Sequence, residues 1–522
     1  MHARVEAVSV AERRDRLRDA WPFAFILVVA FASRMVWFGD PVSDFDEQLY
    51  SLIGNGLLAG KLPYVDYWDR KPFGLFLLFG LAHLVGGPGP LSYQVLAALF
   101  TAAGGFAVYA LARTMVDRAT AAGAGAIYPP LAYAYGCFSG QSEVFFIPLT
   151  LAMLLLVRDI DRPDGGRRAA LAMLLGGLAL QIKYTVIVQC LFVGCVALWH
   201  FRSEPPLQLA ARAASYAALG LFPTVTVGAL YAAFGHWDAF WFANFVSIFE
   251  RAPAAVGRLD MRHLSVLSPL LLLAAGGVYA LLRFKRFPHH RDYALVAGWT
   301  MAALAGVLVP GTVYIYYYVA VVPGAILLAL PLLDRRGALG WGPLAVVGAA
   351  SVLLLNVPRH YAETRDERAE YARLVAALRP YVGQTRDCLL VYDGPTDLYR
   401  ATGSCIPSRF VYPDHLNNAL ETDALGAGQT AEVARLLALR PGAIVTADKP
   451  VTEQNPDAGQ LVAQAIRAHY LPLAVAVLRE RTYRAWVRPS LPSTRPSDTT
   501  SFAPTTPVLR KSSKFPDYSP RP

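Results

Sequence analysis

The chain has 522 residues, 55% of them hydrophobic and only 16% charged, with a mean hydropathy of +0.36. A water-soluble protein of this length carries more charge over its surface, so composition excludes an ordinary soluble enzyme and points to a membrane protein. The net charge of +10 does not signal a nucleic-acid partner, because Lys and Arg fall in short clusters between apolar runs, as in cytoplasmic loops.

Residues 1–20 carry Arg13, Arg14, Arg16 and Arg18 and precede an apolar stretch from Trp21 to Phe38. No small-residue cleavage site follows, which predicts a retained anchor with its basic end in the cytoplasm. Further apolar runs lie near 73–87, 91–115, 119–136, 144–157, 169–182, 184–200, 213–234, 264–282, 293–309, 316–333 and 338–356. Basic clusters separate them: Arg158 to Arg168, then Arg202 and Arg212, Arg283 to Arg291, and Arg335 with Arg336. Placing each cluster inside puts 39–72, 137–143, 235–263, 310–315 and everything after 356 on the outer side.

Twelve crossings would return the C-terminus to the inside, against that pattern. The weak member is 73–87, which at 1.5 Å per residue covers roughly 20 Å of a ~30 Å core. It reads as a re-entrant or outer-leaflet helix packed by protein; otherwise it crosses and another span has gone uncounted. The expected fold class is therefore a polytopic α-helical membrane protein of about 11–13 transmembrane helices over residues 21–356.

Residues 357–489 alternate helix-like stretches (ERAEYARLVAALRPYV, TAEVARLLALR) with short β-like runs (CLLVYD, GAIVTAD, YRAWVRP). This predicts a small extracytoplasmic α/β domain. Cys388 and Cys405 lie in it and can pair if it faces an oxidising compartment. Cys137, Cys190 and Cys195 sit in apolar runs and read as buried free thiols. From 490 to 522 the Pro-, Ser- and Thr-rich sequence reads as a disordered tail. No internal repeat appears, which weighs against inverted-repeat transporters.

The first outer segment, GDPVSDFDEQLYSLIGNGLLAGKLPYVDYWDRKP (39–72), holds six acids: Asp40, Asp44, Asp46, Glu47, Asp66 and Asp69. Loops this long tend to be functional. Within it EQLYSLIGNGLLAG has helical apolar spacing and predicts a helix lying in the membrane interface. Asp46 and Glu47 stand at its N-terminal end, where the helix dipole favours negative charge. Clustered carboxylates there suit either divalent-cation binding or removal of a proton from an acceptor hydroxyl. A solvated acidic loop with a helix cap explains the same residues, and Asp40 and Asp44 read as solvated positions.

The order Asp46-Glu47, Tyr50, Gly60, Pro63-Tyr64, Trp68-Asp69, Lys71-Pro72 resembles the signature of GT-C membrane glycosyltransferases. It is most similar to the protein O-mannosyltransferase group, glycosyltransferase family 39-like, with the lipid A aminoarabinose and rhizobial galacturonosyl transferases. Phe73 stands where that family has a second proline, a departure touching helix entry more than chemistry. Two weaker echoes follow: Glu143 in FSGQSEVFF, and the tyrosines Tyr316, Tyr317 and Tyr318 before Pro323. A helix-end carboxylate and an interfacial aromatic belt explain these equally well.

The resemblance implies an inverting enzyme that moves a sugar from a polyprenyl-phosphate donor to a hydroxyl of a glycolipid, polysaccharide or protein at the outer face of the membrane, and the Ala- and Arg-rich composition suggests a high-GC bacterium, in which that face of the inner membrane is periplasmic. It implies Asp46 and Glu47 as catalytic carboxylates, with Asp46 the general base. Tyr50, Tyr64, Trp68, Asp69, Arg70, Lys71, Tyr316 and Tyr317 would bind donor or acceptor. A divalent cation, if one is used, would sit on Asp46 and Glu143. Lys71 also reads as a lysine snorkelling at the interface, and Lys183 and Arg34, at the ends of apolar runs, read as structural. A non-catalytic flippase or transport protein for lipid-linked sugars is the rival class, and it would want charged residues inside several spans.

Overall fold

The computed structural model describes residues 20–252, 261–284, 289–310 and 313–489; the basic segment 1–19, Lys285, Arg286 and the tail from 490 lie outside them. The described chain divides into two compact units. The larger takes the described parts of Met1–Pro63, Asp69–Asn244 and Pro253–Thr364. The smaller takes Tyr64–Trp68, Phe245–Ala252 and the chain from Arg365 onward.

The larger unit is helical. Its opening helices are α1 (Ala20–Ala32), α2 (Phe45–Leu58), α3 (Phe73–Gly86), α4 (Pro90–Ala112) and α5 (Arg118–Ala134). Then come α6 (Ser142–Arg158), α7 (Gly165–Leu180), α8 (Ile187–His200) and α9 (Pro206–Ala233). Met261–Phe284, His290–Leu308 and Gly342–Leu353 are helical as well. Among the described residues, four helical stretches are long and apolar enough to cross a membrane, α4, α9 and Met261–Phe284 among them. α9 turns Leu207, Leu221, Phe222 and Val225 outward, each more than half exposed. Apolar side chains on an outward face suit a lipid surface rather than water.

The run 316–333 is not one helix. A tight turn over Ile315–Val321 leads into Val322–Leu328 and then Leu330–Leu333. Pro323 and Pro331 lie within the first turn of these two short helices, where a missing backbone N–H costs little. Internal prolines at 129, 130, 148 and 223 are accommodated within α5, α6 and α9.

The structure departs from two expectations. The apolar side of α2 does not lie on a lipid surface: Glu47 to Gly54 are all buried, because α3 packs along it. The two helices cross at Gly54 and Gly80, where a Cβ on Gly54 would lie 2.8 Å from the Gly80 nitrogen. Of the free cysteines only Cys137 is buried; Cys190 is half-buried and Cys195 is exposed on the outward face of α8.

The basic clusters converge. Arg158 pairs with Asp292 at 3.1 Å, Arg291 pairs with Asp161, and Arg335 pairs with Asp117 at 3.0 Å. Asp117 also caps α5 by accepting from the Ala119 nitrogen at 2.9 Å. Loops far apart in sequence are thus tied together in two groups of ion pairs.

The smaller unit holds a four-stranded sheet of order β1-β2-β4-β3, from β1 (Leu389–Val391), β2 (Ala443–Ala447), β3 (Leu471–Leu478) and β4 (Arg481–Val487). β1 runs parallel to β2, and the other pairings are antiparallel. Helices Gln429–Ala438 and Pro456–His469 pack together, the second capped by Asn455. Cys388 and Cys405 form a disulfide.

Because Gly54 has no room for a side chain, Gly54→Val forces α2 and α3 apart. Overpacking of this kind costs about 1–3 kcal/mol. A lowered thermal midpoint in detergent is expected, and an unchanged midpoint would show that the crossing tolerates separation.

Candidate active site

Asp44 begins the site, as the N-cap of α2, its side chain accepting from the Asp46 nitrogen at 3.0 Å. That cap fixes the first helical turn, on which Asp46 and Glu47 point in different directions. Asp46 is partly exposed. Its Oδ2 accepts from the Tyr50 hydroxyl at 3.1 Å, one turn along α2, and from the Tyr316 hydroxyl at 3.4 Å, 270 residues away.

Glu47 is fully buried and belongs to a different network. Its Oε1 accepts from Ser43 and from the Tyr93 hydroxyl at 3.2 Å, and its Oε2 accepts from the Gly140 nitrogen at 2.6 Å. A Cβ on Gly140 would lie 3.0 Å from Oε2 and 3.1 Å from Phe79, so only glycine fits this approach without displacement. Burial and the nearby Asp44 push the Glu47 carboxyl from the ordinary 4.5 up to about 7, against the downward pull of Ser139, Ser43 and Gly140.

Of the two acids read as solvated, Asp40 is not, whereas Asp44 is half-buried as the N-cap of α2. Asp40 is fully buried, its Oδ1 accepting from the Val42 nitrogen at 3.1 Å. Gln94 of α4 donates to the Asp40 carbonyl at 2.9 Å and accepts from the Gly39 nitrogen at 2.7 Å. The turn 137–141 is fixed from a third side. Arg34, buried, donates to the carbonyls of Cys137 at 2.6 Å and Ser139 at 2.8 Å, which accords with its reading as structural.

Glu143, in the first turn of α6, forms a buried ion pair with Lys183, and Ser142 donates to its second oxygen at 3.1 Å. The Lys183 ammonium also lies 3.5 Å from the centre of the Tyr317 ring and 5.7 Å from that of Tyr316. A cation this close to an aromatic face is favourably placed. Tyr314, Tyr316 and Tyr317 pack against one another with ring centres 4.9–5.7 Å apart.

Lys71 lies 5.8 Å from the centre of the Tyr50 ring. Burial alone would lower its pKa, yet Asp46, Tyr317, Asp69 and Glu143 together hold it above the ordinary lysine value. Asp69 is buried, accepts from the Lys71 nitrogen at 2.8 Å, and is pushed up by burial against the opposing effect of Lys71 and Arg70.

Thus Asp46, Tyr50, Asp69, Lys71, Glu143, Tyr316 and Tyr317 all belong to one unit, in which Lys71 senses the fields of three of the acids. Tyr64 and Trp68 belong to the other. The Trp68 backbone nitrogen donates to the Arg409 carbonyl at 2.8 Å, and its ring packs near Phe410 with centres 6.2 Å apart. Tyr64 is buried with φ +67, a conformation uncommon for a tyrosine, and its nitrogen donates to the Tyr67 carbonyl. Sequence reasoning misses Lys183 as a partner of Glu143; a lone lysine between two apolar runs is the available signal.

The acids do not make a good cation site. Hard divalent cations want several oxygen ligands around one point. Here Glu143 is neutralised by Lys183, Lys71 stands near enough to Asp46 to be raised by it, and no group of three His, Cys, Asp or Glu converges among the described residues.

The helical unit gathers carboxylates and lysines around the first turn of α2, in the loop whose sequence resembles that of the GT-C membrane glycosyltransferases. Residues 69–229 match the sequence model of the dolichyl-phosphate-mannose-protein mannosyltransferase family. By structure the chain is similar to ArnT from Cupriavidus metallidurans bound to undecaprenyl phosphate, with a TM-score of 0.61 at 16% identity over 89% of this chain and 97% of that one. The apo state of the same protein gives a TM-score of 0.62 at 14% identity, over 90% and 98%. No relative among curated proteins matches by sequence. The shared feature at this identity is the fold.

The Glu47 shift has a sign that can be checked. A carboxyl raised in the folded state favours the protonated fold, so stability falls as pH rises from about 4.5 to about 7 and levels above that. The thermal midpoint of the wild type should decline across that window relative to Glu47→Gln. Parallel pH profiles would show that Glu47 does not titrate with folding. For the buried pair, Glu143→Gln leaves the Lys183 charge uncompensated, at a cost of about 3–5 kcal/mol. Adding Lys183→Met should recover much of the lost midpoint; no recovery would mean that the two residues act separately.

Proposed function

We propose that this chain is an inverting glycosyltransferase that moves a sugar from a polyprenyl-phosphate carrier to an acceptor hydroxyl. The observation that carries the reading is Asp46, a carboxylate held by two tyrosine hydroxyls from distant parts of the chain and facing the field of Lys71. A general base needs a fixed orientation before it needs anything else, and two donors on one oxygen supply it.

In the reaction, Asp46 accepts the proton of the acceptor hydroxyl as that oxygen forms its bond to the anomeric carbon. The bond from that carbon to the carrier oxygen breaks on the opposite face, and its electron pair leaves with the phosphate. Lys71, with Arg70 beside it in sequence, neutralises the negative charge that develops there. One displacement at one carbon inverts its configuration and needs no covalent intermediate. Glu47 supports the base by fixing the turn that carries it, while Lys183 with Glu143 sets the position of Tyr317. Tyr64 and Trp68, which belong to the smaller unit, are given no part in this step. No step is routed through a metal.

The carrier class is supported by the undecaprenyl phosphate bound to ArnT and by the description of the matching family. The acceptor in this reading is a cell-envelope glycolipid or polysaccharide. We assign the first loop and residues 357–489 to the periplasmic side of a bacterial inner membrane. The Cys388–Cys405 disulfide supports this, since such bonds persist in oxidising compartments. So do the ion pairs that tie the loops of the basic clusters together, as expected of loops on one face.

The test is transfer from a polyprenyl-phosphate sugar by purified protein. Asp46→Asn should lower the rate by about 10²–10⁴ while donor binding is retained. A wild-type rate would remove Asp46 as base. Lys71→Ala should weaken donor binding roughly tenfold or more, the worth of a charge-assisted contact; unchanged affinity would make it a snorkelling lysine.

A further inference from the structure

The smaller unit contains a cleft of about 410 Å³ that the reaction above does not use. This is within the ~300–1,000 Å³ range of small-molecule sites. It opens where the parallel strands β1 and β2 end: Tyr392 and Asp393 follow β1, Thr446 and Ala447 close β2, and helix Pro456–His469 forms the opposite wall. The carboxyl ends of parallel strands are where α/β sheets hold ligands.

Four side chains in it bear on a ligand. Tyr392 is only 7% exposed, yet its hydroxyl has no hydrogen-bond partner among the described residues, and it points toward Gly459 on the opposite wall. A buried hydroxyl left without a partner costs about 1–3 kcal/mol, so its persistence calls for a ligand or water to complete it. Trp486 of β4 is partly exposed, and its ring is held by a hydrogen bond from Nε1 to Thr446 Oγ1 at 3.0 Å. Arg467 stands exposed at the rim and forms no ion pair among the described residues. Asp393 is buried beside them, one oxygen committed to Arg481 at 2.7 Å.

We propose that this cleft binds a single acidic sugar unit. A fixed indole face accepts the apolar side of a pyranose ring. The Tyr392 hydroxyl and the Asp393 carboxylate suit its hydroxyl groups as donor and acceptor. The Arg467 guanidinium matches a carboxylate on the ring by its planar pair of N–H donors. A nucleotide fits less well, because among the described residues no glycine-rich turn lines the cleft to receive phosphates. The proposal stands apart from the transfer chemistry: it concerns residues of the smaller unit only, and it would make that domain the reader of a charged glycan.

The experiment is saturation-transfer NMR on the full chain in nanodiscs, with D-glucuronate, D-glucose and AMP as probes. Transfer to the ring protons of D-glucuronate is expected, stronger than to D-glucose. Arg467→Ala, an exposed substitution that should not disturb folding, should weaken glucuronate at least tenfold and leave glucose unchanged. Trp486→Ala should abolish both, with an unchanged thermal midpoint checking its fold. Asp46→Asn should retain the glucuronate signal, which separates this site from the transfer site. Absence of a glucuronate signal, its persistence in Arg467→Ala, its loss in Asp46→Asn, or tighter binding of AMP would each overturn the proposal.

Discussion

The frame of the candidate site turns on one buried carboxyl, Glu47. Glu47 draws Ser43, Tyr93 and the backbone of Gly140 onto its two oxygens, joining the start of the first loop to α4 and to the turn ahead of α6. With Arg34 gripping the same turn through Cys137 and Ser139, the segments bearing Asp46 and Glu143 are held to a common frame. The arrangement separates two neighbours in sequence into different duties. Asp46 stays partly exposed, and Glu47 is buried with both oxygens engaged.

Electrostatics follows from that frame. Three acids and two lysines occupy a small region, and the structure sorts them by burial. Glu143 and Lys183 neutralise each other out of water, where an unpaired charge is most costly. Lys71 stays partly exposed, with the surrounding carboxylates strengthening its charge. A cation held in reserve next to a carboxylate suits a reaction in which a proton is taken on one side of a carbon and negative charge is released on the other.

Much of this is legible in the sequence. Apolar runs and basic clusters mark most helices of the larger unit, and the spacing from Asp46 to Pro72 marks the loop. What is not legible has physical reasons. Period and composition cannot tell an apolar helix face covered by lipid from one covered by α3, so α2 reads as interfacial from its sequence. Asp40 looks like a solvated loop acid until Gln94, more than fifty residues on, is seen to fix its backbone. The strand β3, LPLAVAVL, lacks the polar alternation of β4, RTYRAWV, and its pairing with β4 supplies what its own residues do not. The pairing of Glu143 with Lys183 leaves only a lone lysine between two apolar runs, which does not name its partner.

The grip on Asp46 comes from two places in the chain: Tyr50 lies one helical turn away, whereas Tyr316 arrives 270 residues later on the turn Ile315–Val321. During synthesis the carboxylate therefore emerges long before its second tyrosine. A ribosome-bound or truncated chain ending ahead of that turn carries Asp46 without its second tyrosine. The surroundings of Asp46 are thus complete only after the helices that precede that turn have been made.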